Sequence, residues 1–98
     1  MKIDNDDEIK NHLKTLPGWK FSENGLQKKY QFKDFISNIE AVKRIAIKAE
    51  ELNHHPDIFI HSWNKLTITL STHSVGGVTQ LDFQLAKEIE EITNESKS

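Results

Sequence analysis

Three chain breakers divide this sequence into short segments and limit the folds open to it. Pro17-Gly18, Pro56 and Gly76-Gly77 interrupt a chain of 98 residues, and proline and paired glycines disfavour the continuation of a helix. Between the breakers, the apolar residues switch between helical and alternating spacing, and no segment repeats another. The pattern predicts one α+β domain covering residues 1–98.

Three segments have apolar residues at helical spacing. The first covers residues 5–16, the second follows a predicted N-cap at Asp34, and the third opens at Thr79. The first helix should bury Ile9, Leu13 and Leu16. The second should bury Phe35, Ile39, Val42, Ala46 and Ala49, with Ile45 and Leu52 widening the stripe. The third should bury Val78, Leu81, Leu85, Ile89 and Ile92.

Alternating residues predict four strands. A hairpin over 18–33 turns at Ser22-Glu23-Asn24-Gly25, and strands 57–63 and 65–72 are joined by a tight turn at Asn64-Lys65. The order is therefore α-β-β-α-β-β-α, a four-stranded antiparallel sheet with three helices packed on one face. Residues 1–4 and 94–98 are expected to fray.

Composition excludes several classes of protein. With 36% hydrophobic residues the chain can form one core, and with no cysteine it has neither disulfides nor a thiol nucleophile. A net charge of −2 gives no sign of nucleic-acid binding. No apolar run is long enough to span a membrane, and the first residues do not resemble a signal peptide. We expect a small cytoplasmic domain.

The strand at 57–63 is apolar on both faces. Ile58 and Ile60 lie on one side, and Phe59 and Trp63 on the other. A sheet covered by helices on one side should be polar on the other. Either these aromatic residues are isolated surface side chains, or they form a homo-oligomer interface.

Four of the five histidines lie between positions 54 and 73. A turn at 64–65 would pair residues near 56–57 with residues near 72–73. His54, His55 and His73 would then lie at the same end of one hairpin, close to Asp82 in the first turn of the last helix. Imidazoles beside a carboxylate can exchange protons near neutral pH, so this end of the sheet is a candidate acid–base site.

Other interpretations of these residues remain open. The helix dipole favours histidine at a helix C-terminus, which would explain His54 and His55, and Asp82 stands where a capping-box acid would. Three histidines and a carboxylate could also bind zinc or iron, although adjacent residues leaving a helix rarely face one ion. We expect His12 on the solvated surface and His61 at an interface or on the surface.

The residues around this cluster suit a small polar ligand. Ser71-Thr72 supply strand-end hydrogen-bonding groups, and the sequence has no phosphate loop, nucleophile elbow or dinucleotide fingerprint. The residues themselves therefore predict acid–base chemistry on, or binding of, a small polar molecule, without naming it.

The sequence closely resembles the pterin-4a-carbinolamine dehydratase family. Seven positions over 33 residues match the family signature, and similar sequence extends over roughly residues 15–93. The matching residues are Glu50, His54, His55, Pro56, Trp63, His73 and Asp82. The resemblance departs from the common pattern at Asn53, where aspartate is usual, and at Ile58, where animal members usually have an aromatic residue.

The resemblance implies a lyase that dehydrates 4a-hydroxytetrahydropterin to quinonoid dihydropterin without a metal or cofactor, in support of tetrahydropterin recycling. His54 and His73 would be the acid–base pair, His55 would orient the pterin, Asp82 would orient a histidine, and Glu50 would support the cluster. The pterin would lie against residues 53–55 and 71–74, which are Asn53, His54, His55, Ser71, Thr72, His73 and Ser74. The resemblance also implies a homodimer or homotetramer formed by extending sheets between subunits. A non-catalytic pterin-binding or oligomerising module on the same fold is the alternative.

Overall fold

The computed structural model describes residues 1–97, and the side chains of residues 1–94. Within these residues the predicted element order is confirmed. One short 3-10 helix at His73–Val75 was not expected from the sequence. The elements are α1 (Asp6–Leu13), β1 (Lys20–Ser22), β2 (Gly25–Gln31), α2 (Phe35–Leu52), β3 (Asp57–His61), β4 (Lys65–Leu70) and α3 (Gln80–Lys97).

The four strands form one antiparallel sheet in the order β1-β2-β4-β3. Alternation along the strands points one set of side chains at the helices, and these form the core with apolar residues of α1, α2 and α3. The buried strand residues are Leu26, Tyr30, Leu66, Ile68 and Leu70. The three helices therefore cover one face of the sheet, as predicted, and β1 and β3 are its edges.

The connection between β3 and β4 differs from the prediction. β3 ends at His61, and Ser62 and Trp63 adopt positive φ angles of 50° and 53°. The turn therefore consists of Ser62, Trp63 and Asn64, and the Asn64 side chain anchors it by donating a 3.1 Å hydrogen bond to the Phe32 carbonyl. Three residues separate the paired ends of the hairpin.

This turn changes the register of the hairpin. Asp57 pairs with Thr69, whereas the sequence predicted a partner near residues 72–73. The shift is three residues. In this register the two residue numbers of every pair add up to the same total. If the pairing continued beyond the strands, His54 would therefore lie opposite Thr72.

Helix α2 begins as predicted. The Asp34 carboxylate accepts a 2.7 Å hydrogen bond from the Ser37 N–H. Hydrogen bonds from the Ser37 side chain and backbone lower the pKa of the Asp34 carboxyl.

The predicted buried face of α2 is partly wrong. Phe35, Ile39 and Ala46 are exposed, whereas Ile45 and Ala49 are buried as predicted. Asn38 and Ala41, which the prediction left out, are buried as well. Asn38 sets this rotation because its side chain donates 3.0 Å hydrogen bonds to the carbonyls of Trp63 and Lys65. A polar residue that anchors the helix to the β3–β4 turn cannot be found from apolar spacing.

Both ends of the chain also differ from expectation. Ile3, in a segment expected to fray, is buried and forms a bridge with Val78, and α3 continues to Lys97. The rest of the predicted fraying, at Ser98, lies outside the described residues. Leu81 is exposed, and α3 buries Phe83 in its place. His12 is half-buried rather than fully solvated, and its ring stacks on Phe83 with centroids 4.3 Å apart.

The second face of the sheet has few apolar residues except at the β3 edge. Phe59 is 61% exposed and stacks on His61 with centroids 4.7 Å apart. The two side chains share the outer face, as the sequence predicted, whereas Trp63 lies in the turn and is 60% exposed. Among the described residues, no helix is both long and apolar enough to cross a membrane.

Candidate active site

The end of α2 aims His54 at the rest of the site. Asn53 adopts the left-handed conformation (φ 50°, ψ 44°). The His54 N–H donates to the Ala49 carbonyl at 3.0 Å and the Asn53 N–H to the Glu50 carbonyl at 3.1 Å. These two bonds form the Schellman arrangement that reverses a chain after a helix. The Asn53 backbone therefore determines where His54 points.

Asp82 lies in the first turn of α3 and is completely buried. Its Oδ2 accepts hydrogen bonds from the Thr79 N–H at 2.9 Å and from the Thr72 hydroxyl at 2.7 Å, and its Oδ1 lies 2.5 Å from Nε2 of His54. The bond from Thr79 is half of a capping box, with Asp82 at the third helical position. One carboxylate thus has both functions considered for it from the sequence: it caps α3 and contacts a histidine.

With Asp82 as an ionised carboxylate, which accepts without donating, the contact at Oδ1 assigns the shared proton to His54. Two donors already bond to Oδ2. Nε2 of His54 therefore donates to Oδ1, and Nδ1 is the ring nitrogen left to take up or release a proton. The His54 side chain is only 11% exposed, so this pair is largely shielded from water.

His55 points away from this pair. Its Nε2 contacts the Glu50 carboxylate one helical turn earlier, and both side chains are exposed, at 59% and 75%. Adjacent residues leaving a helix diverge, as the sequence indicated. The predicted cluster is thereby divided into a largely buried pair, His54 and Asp82, called the buried pair below, and an exposed pair, His55 and Glu50. Within the described residues, no three His, Asp or Glu side chains are grouped to hold a metal ion.

His73 begins the short 3-10 helix and is exposed. It borders a surface groove of about 230 Å³. The other residues that line this groove are Glu23 and Asn24 of the β1–β2 turn and Ser71, Thr72, Gly76 and Gly77. Grooves of similar volume occur elsewhere on the surface, so this one is distinguished by its residues and not by its size.

The groove and the buried pair meet at Thr72. Thr72 borders the groove beside His73, and its hydroxyl reaches Asp82, which contacts His54. The structure thus joins His54, Asp82 and Thr72 by direct hydrogen bonds and places His73 next in the chain. Ser74 lies in the same 3-10 helix and is exposed.

A second polar cluster, not predicted from the sequence, links β2 to α3. Lys28 of β2 donates hydrogen bonds of 2.9 and 2.8 Å to Glu90 of α3 and one of 2.7 Å to the Pro17 carbonyl, and the Tyr30 hydroxyl also donates to Glu90. Burial, followed by the hydrogen bond and the charge of Glu90, raises the pKa of Tyr30. The available signal was the position of Lys28 between Leu26 and Tyr30 on the inward face of β2.

A largely buried histidine–carboxylate pair is linked through Thr72 to the exposed His73, and this arrangement on an α+β fold is suited to acid–base chemistry. The comparison with protein-family models then gives the family: residues 4–92 match the model described as pterin 4 alpha carbinolamine dehydratase. The chain belongs to the pterin-4-alpha-carbinolamine dehydratase family. It is therefore an enzyme of the hydro-lyase class.

Named relatives agree with this membership. One relative, from Sulfolobus acidocaldarius, has the name pterin-4-alpha-carbinolamine dehydratase. It is 45% identical to this chain, over 94% of this chain and 99% of its own length. One of Thermosynechococcus vestitus with the same name is 48% identical over 84% of this chain and 85% of its own length.

Solved structures share the fold. The crystal structure of a transcriptional coactivator/pterin dehydratase from Brucella melitensis matches with a TM-score of 0.88 and 32% identity, over 94% of this chain and 98% of that one. A pterin dehydratase-like protein identified as a RuBisCO assembly factor in the alpha-carboxysome matches with a TM-score of 0.62 and 17% identity, over 76% of this chain and 84% of that one. This second likeness concerns the fold alone.

Proposed function

We propose that this protein dehydrates 4a-hydroxytetrahydropterin to quinonoid dihydropterin by histidine acid–base catalysis. The observation that carries the proposal is the His54–Asp82 pair, held at 2.5 Å beside the groove that His73 borders. Family membership supplies the reaction, and this geometry supplies groups that can perform it.

The reaction breaks the C4a–O bond and the N5–H bond and forms a C4a–N5 double bond. An acid protonates the departing hydroxyl, which leaves as water, and a base takes the proton from N5. His54 and His73 are the proposed acid–base pair, and Asp82 holds the tautomer of His54. The balance needs no redox step, so we propose that the reaction uses no metal ion or organic cofactor.

The remaining predicted residues are proposed to bind the substrate. His55, supported by Glu50, is exposed and free to orient the pterin, and Asn53, Ser71 and Ser74 lie along the same segments. We also propose that the activity supports tetrahydropterin recycling and that the protein is cytoplasmic.

The direct test follows the dehydration of chemically generated 4a-hydroxytetrahydropterin by its ultraviolet absorbance, with and without a metal chelator. We expect the protein to accelerate the reaction equally in both conditions. His73→Ala should reduce the rate by at least about 100-fold, the usual contribution of a positioned acid or base.

His61→Gln is the matched control, because it removes a histidine from the outer face of the sheet, and its rate should stay within about twofold of the wild-type rate. Full turnover by the His73→Ala protein would remove His73 from the mechanism. Loss of activity with the chelator would instead favour a metal-dependent site.

A second function, that of a non-catalytic interaction module, rests on exposed apolar residues. Ile36 is 73% exposed and Ile47 53% exposed on α2, and Phe59 and Trp63 are exposed near the edge strand β3. The solved relative that is 32% identical is named for a transcriptional coactivator as well as a pterin dehydratase, which makes such a role worth testing. A folded wild-type protein without dehydratase activity that still captures a partner would support the module.

The same exposed residues support assembly with further copies of this chain. β3 is an edge strand, so one side of its backbone is available to extend the sheet into a neighbouring subunit. We propose a homodimer or homotetramer that covers Phe59.

A further inference from the structure

Thr72 lies at the junction between the groove and the buried pair, and its polar groups are already engaged within the protein. Its N–H donates to the Gly77 carbonyl at 2.7 Å, and its carbonyl accepts from the N–H groups of Val75 and Gly76 at 3.1 Å. Its hydroxyl donates to Asp82. A residue committed in this way is poorly suited to bind a substrate directly, which was the role expected from the resemblance.

The direction of the hydrogen bonds through Thr72 can be assigned. A hydroxyl has one proton, and that of Thr72 goes to Oδ2 of Asp82, which can only accept. The 3.1 Å contact between the Thr72 and Thr79 hydroxyls must therefore be donated by Thr79. Both hydrogen bonds therefore point in one direction: the Thr79 hydroxyl donates to the Thr72 hydroxyl, which donates to the Asp82 carboxylate.

This chain of bonds restrains the carboxylate that faces His54. With the Thr72 hydroxyl and the Thr79 N–H both on Oδ2, rotation of the Asp82 carboxylate would break one part-buried and one buried hydrogen bond. Oδ1 is thereby held toward Nε2 of His54. Without the Thr72 hydroxyl, only one donor would remain on Oδ2 and the restraint would weaken.

We infer that Thr72 is a positioning residue: its hydroxyl fixes the Asp82 carboxylate, which in turn keeps the proton of His54 on Nε2. The inference rests on the proposed function for its effect on rate, but its effect on His54 is independent of any substrate. It assigns to Thr72 a role distinct from contact with the pterin.

The test compares Thr72→Val, which keeps the shape of the side chain and removes the hydroxyl, with Thr72→Ser, which keeps the hydroxyl. Thr72→Val should lower kcat about tenfold with little change in KM, and Thr72→Ser should stay within about twofold of wild type. Thr79→Val keeps the N–H that bonds to Asp82 and removes only the hydroxyl that bonds to Thr72. Its kcat should therefore fall less than that of Thr72→Val. Thr69→Val, on the outer face of the sheet, is the control.

Nitrogen-15 NMR of the His54 ring, assigned by the loss of its signals in His54→Gln, provides the second measurement. We expect the Nε2–H tautomer in the wild type and in Thr72→Ser, and a mixture of tautomers in Thr72→Val. If Thr72→Val keeps the wild-type tautomer, the inference is overturned, whatever the activity. A rise in KM at constant kcat would return Thr72 to a substrate-binding role. If the wild type has no dehydratase activity, the proposed function fails and the NMR result alone decides the role of Thr72.

Discussion

Tyr30 connects the sheet to α3 through a hydrogen bond to Glu90, and it is the single tyrosine of the chain. Burial, with a smaller effect from Glu90, raises its pKa above the ordinary value of about 10. Because the folded pKa exceeds the unfolded one, the contribution of Tyr30 to stability is complete below about pH 10. It is lost as the pH rises further, since the unfolded chain then releases a proton that the folded chain retains.

Tyr30→Phe should therefore destabilise the protein less at high pH than at neutral pH. Near pH 7 we expect a loss of about 1–2 kcal/mol in the free energy of unfolding, because Glu90 loses one hydrogen-bond donor. Above about pH 10 the difference between variant and wild type should shrink, because phenylalanine does not ionise. Urea unfolding of both proteins at several pH values measures this. A constant difference across the range would contradict it.

Asn53 shows how one residue controls the connection between α2 and β3. Asparagine tolerates the left-handed conformation that the Schellman turn requires, and a β-branched residue does not. Asn53→Val should cost about 1–2 kcal/mol of stability and lower kcat about tenfold, because His54 leaves Asp82. Asn53→Gly should keep the stability within about 0.5 kcal/mol.

Urea unfolding and steady-state kinetics on both variants check this prediction. Equal loss of activity in the two variants would show that the Asn53 side chain, and not its backbone conformation, matters to the site.

At the scale of the elements, the sequence predicts what burial alone decides. Helical and alternating spacing place all seven main elements in order, because each must present an apolar face to the same core. The errors occur where a single hydrogen bond or a local backbone conformation determines the position or the end of an element. Asn38 rotates α2 by bonding to the β3–β4 turn, and Ser62 and Trp63 shorten β3 by adopting positive φ. Neither effect leaves a periodic signal.

The candidate site divides in the same way. His54 and Asp82 are in contact, as the sequence predicted, although the strand register from which their proximity was inferred is shifted by three residues. The proposed role of Thr72 could not be predicted, because its hydrogen bonds depend on the exact end of β4 and on a 3-10 helix that the sequence did not reveal.

At the scale of the whole molecule, assembly depends on the outer face of β3. If Phe59 is covered by a second subunit, Phe59→Glu should raise the dissociation constant of the assembly by at least about tenfold. Burial of a phenylalanine contributes about 1.5–3 kcal/mol, and this contribution would be lost. Gln31→Glu, on the same face but on β2, is the matched control and should leave assembly intact. Sedimentation velocity over a range of concentrations measures both, and a monomeric wild type would contradict the proposed interface.

The two tryptophans lie in opposite environments, since Trp19 is 5% exposed and Trp63 60% exposed. Their fluorescence therefore separates two events that usually overlap in one signal. An ionic quencher added to the folded monomer should reach Trp63 and leave Trp19 bright, so protection of Trp63 reports a partner at the β3–β4 turn. Loss of Trp19 emission reports unfolding of the core, and the protein can be followed through both processes without an added label.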